Sequence, residues 1–328
     1  GTVENALGQY ADSNRDLDAA KQKLDELFGV RISDELEAIA WNEAAKNFKG
    51  EEFERVMINM LSAFNYLHLG SLEDAAVEAR QINQRLQVYV DKLKAAKITT
   101  HYEQDPFAQF LCGLIQEAYG DDNDAYRSFE DSLNGYRKME AFLGFPAPEA
   151  LKASLYRLAA KLNYEEAKEK YAAFAALPGA DPLAWSKVGH LVVLTGLGEI
   201  AHKKSEKWTV PDPQGDTVSV TYPVFRRGSF LAQRAVVSVG GGSNEAVMAA
   251  DLSTLAIKTL DDKNAQVKGK AIAKALARYA AKKVARAVAD NSDNGYAKAG
   301  GIIANLALNI VDAVEQADST TRSASSLS

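Results

Sequence analysis

The sequence predicts a mainly α-helical chain in which antiparallel helical hairpins are followed by a small β-rich insert and C-terminal helices. Three observations carry this. Apolar residues recur at helical spacing over most of the first 180 positions, and a short turn pattern repeats along that stretch. A β-branched, glycine- and proline-punctuated region then interrupts the helices. The repeated pattern is Ala6-Leu7-Gly8 with Ser13, His68-Leu69-Gly70 with Ala75, and Ala118-Tyr119-Gly120 with Ala125. In each copy a small residue follows the glycine by five positions. This is the spacing of a tetratricopeptide (TPR) turn, where glycine ends one helix and a small residue lets the next approach closely.

In the second and third copies a small residue also precedes the turn by seven positions, Ala63 before Gly70 and Gly113 before Gly120. Beyond the third turn, Ala125, Phe129 and Leu133 share one helical face. Two full hairpins and one partial hairpin are therefore expected. Their turns lie further apart than the ~34-residue period of regular TPR arrays, so the array is TPR-like and divergent. Gly8, Gly70, Ala75, Gly113, Gly120 and Ala125 are its structural positions.

The helices expected in order span 9–28, 34–46, 51–69, 72–96, 105–119, 122–141, 148–162 and 164–176. The acidic start Ser33-Asp34-Glu35 and the loop prolines Pro146 and Pro148 mark boundaries. From about Trp185 the periodicity changes to strand-like runs at 190–195, 207–210, 217–221 and 234–239. Pro211 to Asp216 and Gly240-Gly241-Gly242 separate them, and 217–222 alternates as a half-buried strand should. A small antiparallel sheet is expected there. Helical patterning returns over 251–289 and 296–317, and a polar tail is expected to be disordered. The domains expected are thus 1–180, 185–245, 246–318 and the tail 319–328.

Composition narrows the function classes. The 328 residues are 47% hydrophobic and 25% charged, enough to bury a core without staples. A net charge of −6 gives no general attraction to nucleic acid or to an anionic membrane. The single cysteine, Cys112, lies in an apolar run and reads as a buried thiol. No apolar run is long enough to span a bilayer. The opening residues read as the middle of a hairpin, so an upstream segment is expected.

No catalytic or metal-ligating constellation is apparent, and no cofactor is implied. His68, His101, His190 and His202 are scattered without ligand-spaced neighbours. Gly240-Gly241-Gly242-Ser243-Asn244 lacks the lysine of a phosphate loop. Lys268, Lys270, Lys274, Arg278, Lys282, Lys283 and Arg286 form a basic helical face, read as solvated. The apolar stretch 300–311 is read as buried against that helix. Helical-hairpin arrays bind partners in a concave groove lined by the first helix of each hairpin. The polar and aromatic candidates on those helices are Asn59, Asn65, Tyr66, Gln109 and Gln116. An envelope hydrolase using His190, His202 and Asp216, and self-association through the strand at 217–222, are the alternatives.

The stretches Glu52 to Asn59, Asn65 to Arg80 and Asp105 to Gly113, with Glu315-Gln316-Ala317-Asp318 near the end, resemble an uncharacterised family of bacterial TPR-containing proteins. Its members are predicted to be secreted or lipid-anchored. Their genes neighbour those of curli-secretion-type and penicillin-binding-protein-activator-type lipoproteins. The resemblance implies a periplasmic, outer-membrane-associated scaffold with a lipid anchor upstream of this sequence and a further C-terminal segment. Its partners would be other cell-envelope proteins, outer-membrane lipoproteins among them. The family supplies no catalytic residues to carry over.

Overall fold

The computed structural model describes residues 1–28, 52–95, 102–211, 217–229, 234–262 and Tyr279. The protein is mainly helical with two small antiparallel sheets. Its helices are α1 (Thr2–Ala6), α2 (Tyr10–Phe28), α3 (Glu52–His68), α4 (Leu72–Ala95), α5 (Pro106–Tyr119), α6 (Asp122–Leu143), α7 (Glu149–Lys161), α8 (Glu165–Lys170), α9 (Pro182–Trp185) and α10 (252–262). The expected helix at 164–176 shortens to α8 followed by a 3-10 turn, Ala172–Phe174. The helix expected at 34–46, most of 263–318 with the basic face and the apolar stretch 300–311, and the tail lie outside the described residues.

The chain forms two compact units. Among the described residues the first comprises 1–28, 52–95, 102–201, 227–229 and 234–258, and the second 202–211, 217–226 and 259–262. In the first unit each helix from α1 to α7 packs on the next described one, and α9 packs on α7. The residues that make this possible are local. Gly8, Gly70 and Gly120 adopt φ of +76°, +78° and +93°. At each turn the glycine amide donates to the carbonyl three residues back and the next amide to the carbonyl five back. For Gly120 these bonds are Gly120 N to Glu117 O (3.1 Å) and Asp121 N to Gln116 O (2.9 Å). The two bonds satisfy orphan carbonyls at the helix end, as in a Schellman motif.

The same pair of bonds recurs at a fourth place. Asn163, at φ +57°, and Tyr164 donate to Ala160 and Ala159 after α7. Asparagine tolerates the left-handed region because its short polar side chain pays a smaller steric penalty there than other non-glycine residues. The small residues five positions after the three glycines, Ser13, Ala75 and Ala125, are completely buried. So is Ala63, seven positions before Gly70, and a Cβ built on Gly113 would lie 2.4 Å from the Phe129 ring. Close helix approach is thus set by side-chain volume at fixed distances from the turn.

Gly120 has open space around a built Cβ, so only its backbone conformation resists substitution. Gly120→Ala is expected to cost about 1–2 kcal/mol, the steric cost of a left-handed alanine. Urea unfolding monitored by circular dichroism measures it. An unchanged midpoint would show that the turn relaxes to a different conformation.

At the start of α5, Asp105 caps the helix, accepting from the Ala108 amide (2.9 Å) and from the Tyr102 hydroxyl (2.9 Å). Burial raises its carboxyl above the ordinary range, and these two bonds only partly oppose that. Cys112 is buried, donates to the Ala79 carbonyl (3.0 Å), and burial pushes its thiol well above the usual range.

In place of one small sheet there are two separate two-stranded ones. In the second unit β1 (His202–Pro211) pairs antiparallel with β2 (Thr217–Arg226), from His202 opposite Arg226 to Pro211 opposite Thr217. In the first unit β3 (Val236–Val239) pairs with β4 (Gly242–Glu245) across Gly240-Gly241. The strand expected at 190–195 carries no ladder: 189–197 has neither helix nor strand.

Candidate functional site

The polar residues expected to line a groove lie mostly inside the helix packing. Asn65 on α3 is fully buried. Its amide nitrogen donates to Ser13 Oγ and Asn14 Oδ1 (both 2.8 Å), and its oxygen accepts from Asn5 (2.6 Å). Every hydrogen-bonding position of that amide but one lone pair is thereby used, tying α3 to α1 and α2. Asn59, also fully buried, donates to Glu78 Oε2 (2.7 Å) and to Gln81 (3.3 Å). Glu78 in turn accepts from Lys21 Nζ (2.7 Å), with both side chains 8% exposed. This buried chain Lys21–Glu78–Asn59 joins α2, α4 and α3, and the ion pair is tolerated because the surrounding groups complete its hydrogen bonds.

Gln116 and Gln109 are buried on α5. With its amide nitrogen turned toward α6, Gln116 donates to Ser128 Oγ (2.7 Å), the Asp124 carbonyl (3.0 Å) and the Cys112 carbonyl (3.3 Å). The Gln109 oxygen is buried without a hydrogen-bond partner. Tyr66 is the one residue of the five that reaches the surface, half-buried at the end of α3. Burial, then the carboxylates of Asp18, Asp74 and Glu78, raise its phenol above the usual range. Asn59, Asn65 and Gln116 thus hold helices together, and Gln109 is buried with them. Sequence periodicity puts them on the correct helices but cannot tell an inward amide from an outward one.

Among the half-buried residues of α3 and α5 is a set of large apolar side chains. Met57 and Phe64 on α3 and Phe107 and Leu114 on α5 are all half-buried. They sit at matching distances before their turn glycines, thirteen and six positions, so each pair stands on the same face of its helix. Leu67 extends the α3 stripe and is exposed. Phe107 also lines a small cleft with Leu143, Phe145 and Leu252, where the Tyr136 hydroxyl donates to the Ala249 carbonyl (2.5 Å). Met57, Phe64, Leu67 and Leu114 lie outside that cleft.

A second constellation, which sequence reading missed, centres on Arg157 of α7, 2% exposed. Its guanidinium forks onto Glu117 of α5 (Nη2 to both carboxylate oxygens at 2.8 Å, Nε at 3.1 Å). It also donates to the Gly179 carbonyl (2.6 Å) and Ser154 Oγ (3.0 Å), and lies 3.7 Å from the Trp185 ring centre. Trp185 stacks on His190 with ring centroids 3.3 Å apart. The planar guanidinium suits this role, since it can pair bidentately and stack at once. The available signal was a lone arginine in an otherwise apolar stretch of α7.

Of the hydrolase candidates, His190 is engaged with Trp185, its Nε2 donating to the Trp185 carbonyl (2.8 Å). His202 begins β1 in the other unit, and Asp216 lies outside the described residues. Among the described residues no group of three His, Cys, Asp or Glu is placed to hold a metal ion, and no helix is long and apolar enough to cross a membrane.

No protein-family model, curated protein or solved structure matches the chain.

Proposed function

We propose that this chain is a non-enzymatic scaffold or assembly factor of the bacterial cell envelope. In this reading a TPR-like array holds an apolar segment of a partner protein against the first helices of its hairpins. The observation that carries it is the matched, half-buried apolar stripe of Met57 and Phe64 with Leu114, continued by exposed Leu67, at equal offsets from repeated turns. The TPR-like reading is supported by the four turns of identical hydrogen bonding and by the buried small residues at fixed distances from them. Large side chains left half open on a rigid helical face suit a partner helix or extended segment, because burial of their remaining area drives association. The envelope location, with lipoproteins among the partners, rests on the family resemblance alone.

The test is a paired substitution, Phe64→Glu with Leu114→Glu, in tagged protein purified from gently solubilised envelopes. Retention of the stoichiometric partner is expected to fall at least about tenfold, since charge on a buried hot spot opposes association by several kcal/mol. The unfolding midpoint should stay near that of the parent because both side chains are already partly solvated. Undiminished retention, or purification of a solitary protein that turns over a substrate, would overturn the reading.

A further inference from the structure

At all four helix-ending turns the residue immediately before the left-handed position is large and apolar: Leu7, Leu69, Tyr119 and Leu162. The turn itself does not ask for this. The hydrophobic contact of such a helix end comes from the residue after the left-handed one, so nothing local calls for an apolar residue before it. The core does not use these side chains either. Leu7 is 68% exposed, Leu69 49% and Tyr119 44%, while Leu162 is half-buried with Tyr164 beside it at 39%.

The four turns lie along one edge of the helical unit, because residues at matching distances from them meet. Ser13, five positions after Gly8, accepts from Asn65, five before Gly70 (2.8 Å). The Ala79 carbonyl, nine after Gly70, accepts from Cys112, eight before Gly120 (3.0 Å). Asn123, three after Gly120, accepts from the hydroxyl of Tyr164, one after Asn163 (2.6 Å). The apolar residues therefore form a row along that edge.

The charge around the row has one sign. Within five positions of Gly8, Gly70, Gly120 and Asn163 stand ten Asp and Glu residues and two lysines. Arg15, Arg127 and Arg157 reach back from outside to Asp12, Asp124 and Glu117. Five acidic side chains remain in excess, nearly the whole of the chain's −6. Helix dipoles favour acids at the starts of α2, α4, α6 and α8, which accounts for the sign but not for the apolar row beside it.

Such an edge repels nucleic acid, anionic lipid and the same edge of a second copy, since each would bring like charges together. It suits a segment that carries apolar residues between lysines and arginines. Neighbouring turns are two helices apart, about 16–20 Å at the usual interaxial distance. That is about 11–13 residues along a partner helix.

We propose that this edge binds a cationic amphipathic helix of another protein, whose apolar residues cover Leu7, Leu69 and Tyr119 and whose lysines and arginines meet the surrounding carboxylates. The edge is separate from Met57, Phe64 and Leu114, and its binding does not depend on that stripe.

The probe is a synthetic helical peptide of leucine and lysine, about 28 residues long so that at ~1.5 Å per residue it reaches three turns. The same peptide with glutamate for lysine is the control. Fluorescence anisotropy with the full chain is expected to show binding of the lysine peptide that weakens as salt rises, and none of the glutamate peptide. Leu7→Ser, Leu69→Ser and Tyr119→Ser together should lower the affinity at least about tenfold with every charge unchanged, because a few buried anchors carry most of such a contact. Glu73→Lys with Glu166→Lys should lower it as well. Circular dichroism should show both variants unfolding near the parent midpoint, since all five side chains are exposed. Phe64→Glu with Leu114→Glu should leave peptide affinity unchanged, which separates this proposal from the one built on the stripe. Unchanged affinity in the serine variant, equal binding of the glutamate peptide, or preference for anionic lipid vesicles over the lysine peptide would each overturn it. If the serine variant does not fold, undiminished binding by the Glu73→Lys, Glu166→Lys pair overturns it instead.

Discussion

Arg157→Ala is expected to lower the stability of the helical unit by roughly 3–5 kcal/mol, the cost of leaving one partner of a buried ion pair unmatched. Three consequences act together. The Glu117 carboxylate, itself only 16% exposed, loses its bidentate partner. The Gly179 carbonyl and Ser154 lose a donor, and the Trp185 ring loses the cation above it. Because the guanidinium joins α5, α7 and the loop that carries α9, the effect should not stay local. For a unit of this size the loss corresponds to a fall of roughly 6–20 °C in Tm. A Trp41→Phe, Trp208→Phe background isolates Trp185, whose fluorescence should shift as its stacking partner disappears. Arg157→Met combined with Glu117→Gln should recover part of the loss, since neither charge is then left unpaired. If the single alanine variant unfolds within 0.5 kcal/mol of the parent, a water-exposed Glu117 would be indicated, and the clamp would be a surface pair worth little, about 0–1 kcal/mol.

Gly113→Ala is expected to cost about 3 kcal/mol, at the upper end of what one added methyl does in a packed core. The added Cβ would lie 2.4 Å from two atoms of the Phe129 ring, and both residues are buried between α5 and α6. Phe129 also meets Phe110, with ring centroids 5.8 Å apart, so its ring cannot swing away without disturbing a second aromatic contact. The helices must separate or the ring must leave its rotamer well. A double-mutant cycle decides between a specific clash and a general helix effect. Phe129→Leu alone should destabilise by leaving a cavity, while Gly113→Ala in the Phe129→Leu background should cost far less than in the parent. Additive losses, with no coupling between the sites, would show that the close approach is not what glycine supplies there.

How much of this was legible in the sequence can be argued residue by residue. The turns at Gly8, Gly70 and Gly120 were, because a left-handed C-cap followed by a small residue is local chemistry that any context must respect. The equivalent turn at Asn163 was not, because asparagine serves many loop roles and signals this one weakly. The helix bounds at α3, α4 and α5 follow from periodicity and from Asp105-Pro106, a side-chain cap followed by a residue preset for the first turn. The roles of Asn59 and Asn65 were misjudged for a physical reason. A buried amide that joins two helices and a solvated amide on a helix surface differ only in what the neighbouring helix provides, as Glu78 and Ser13 do here.

The apolar run at 190–195 shows the same boundary from the other side. Its composition is that of a strand, but a strand exists only when a second one pairs with it, and no described part of this chain does. By itself the sequence determined the helical class, the positions of the glycine turns, the capped helix starts and the burial of Cys112, all of which depend on interactions within a few residues. Only the tertiary structure decided that Arg157 clamps Glu117 and Trp185, that Asn59, Asn65 and Gln116 are interhelical ties, and that Met57, Phe64 and Leu114 stand half-buried on α3 and α5. Those outcomes depend on groups from 12 to 60 residues apart coming into contact, and one-dimensional spacing holds no record of such a meeting.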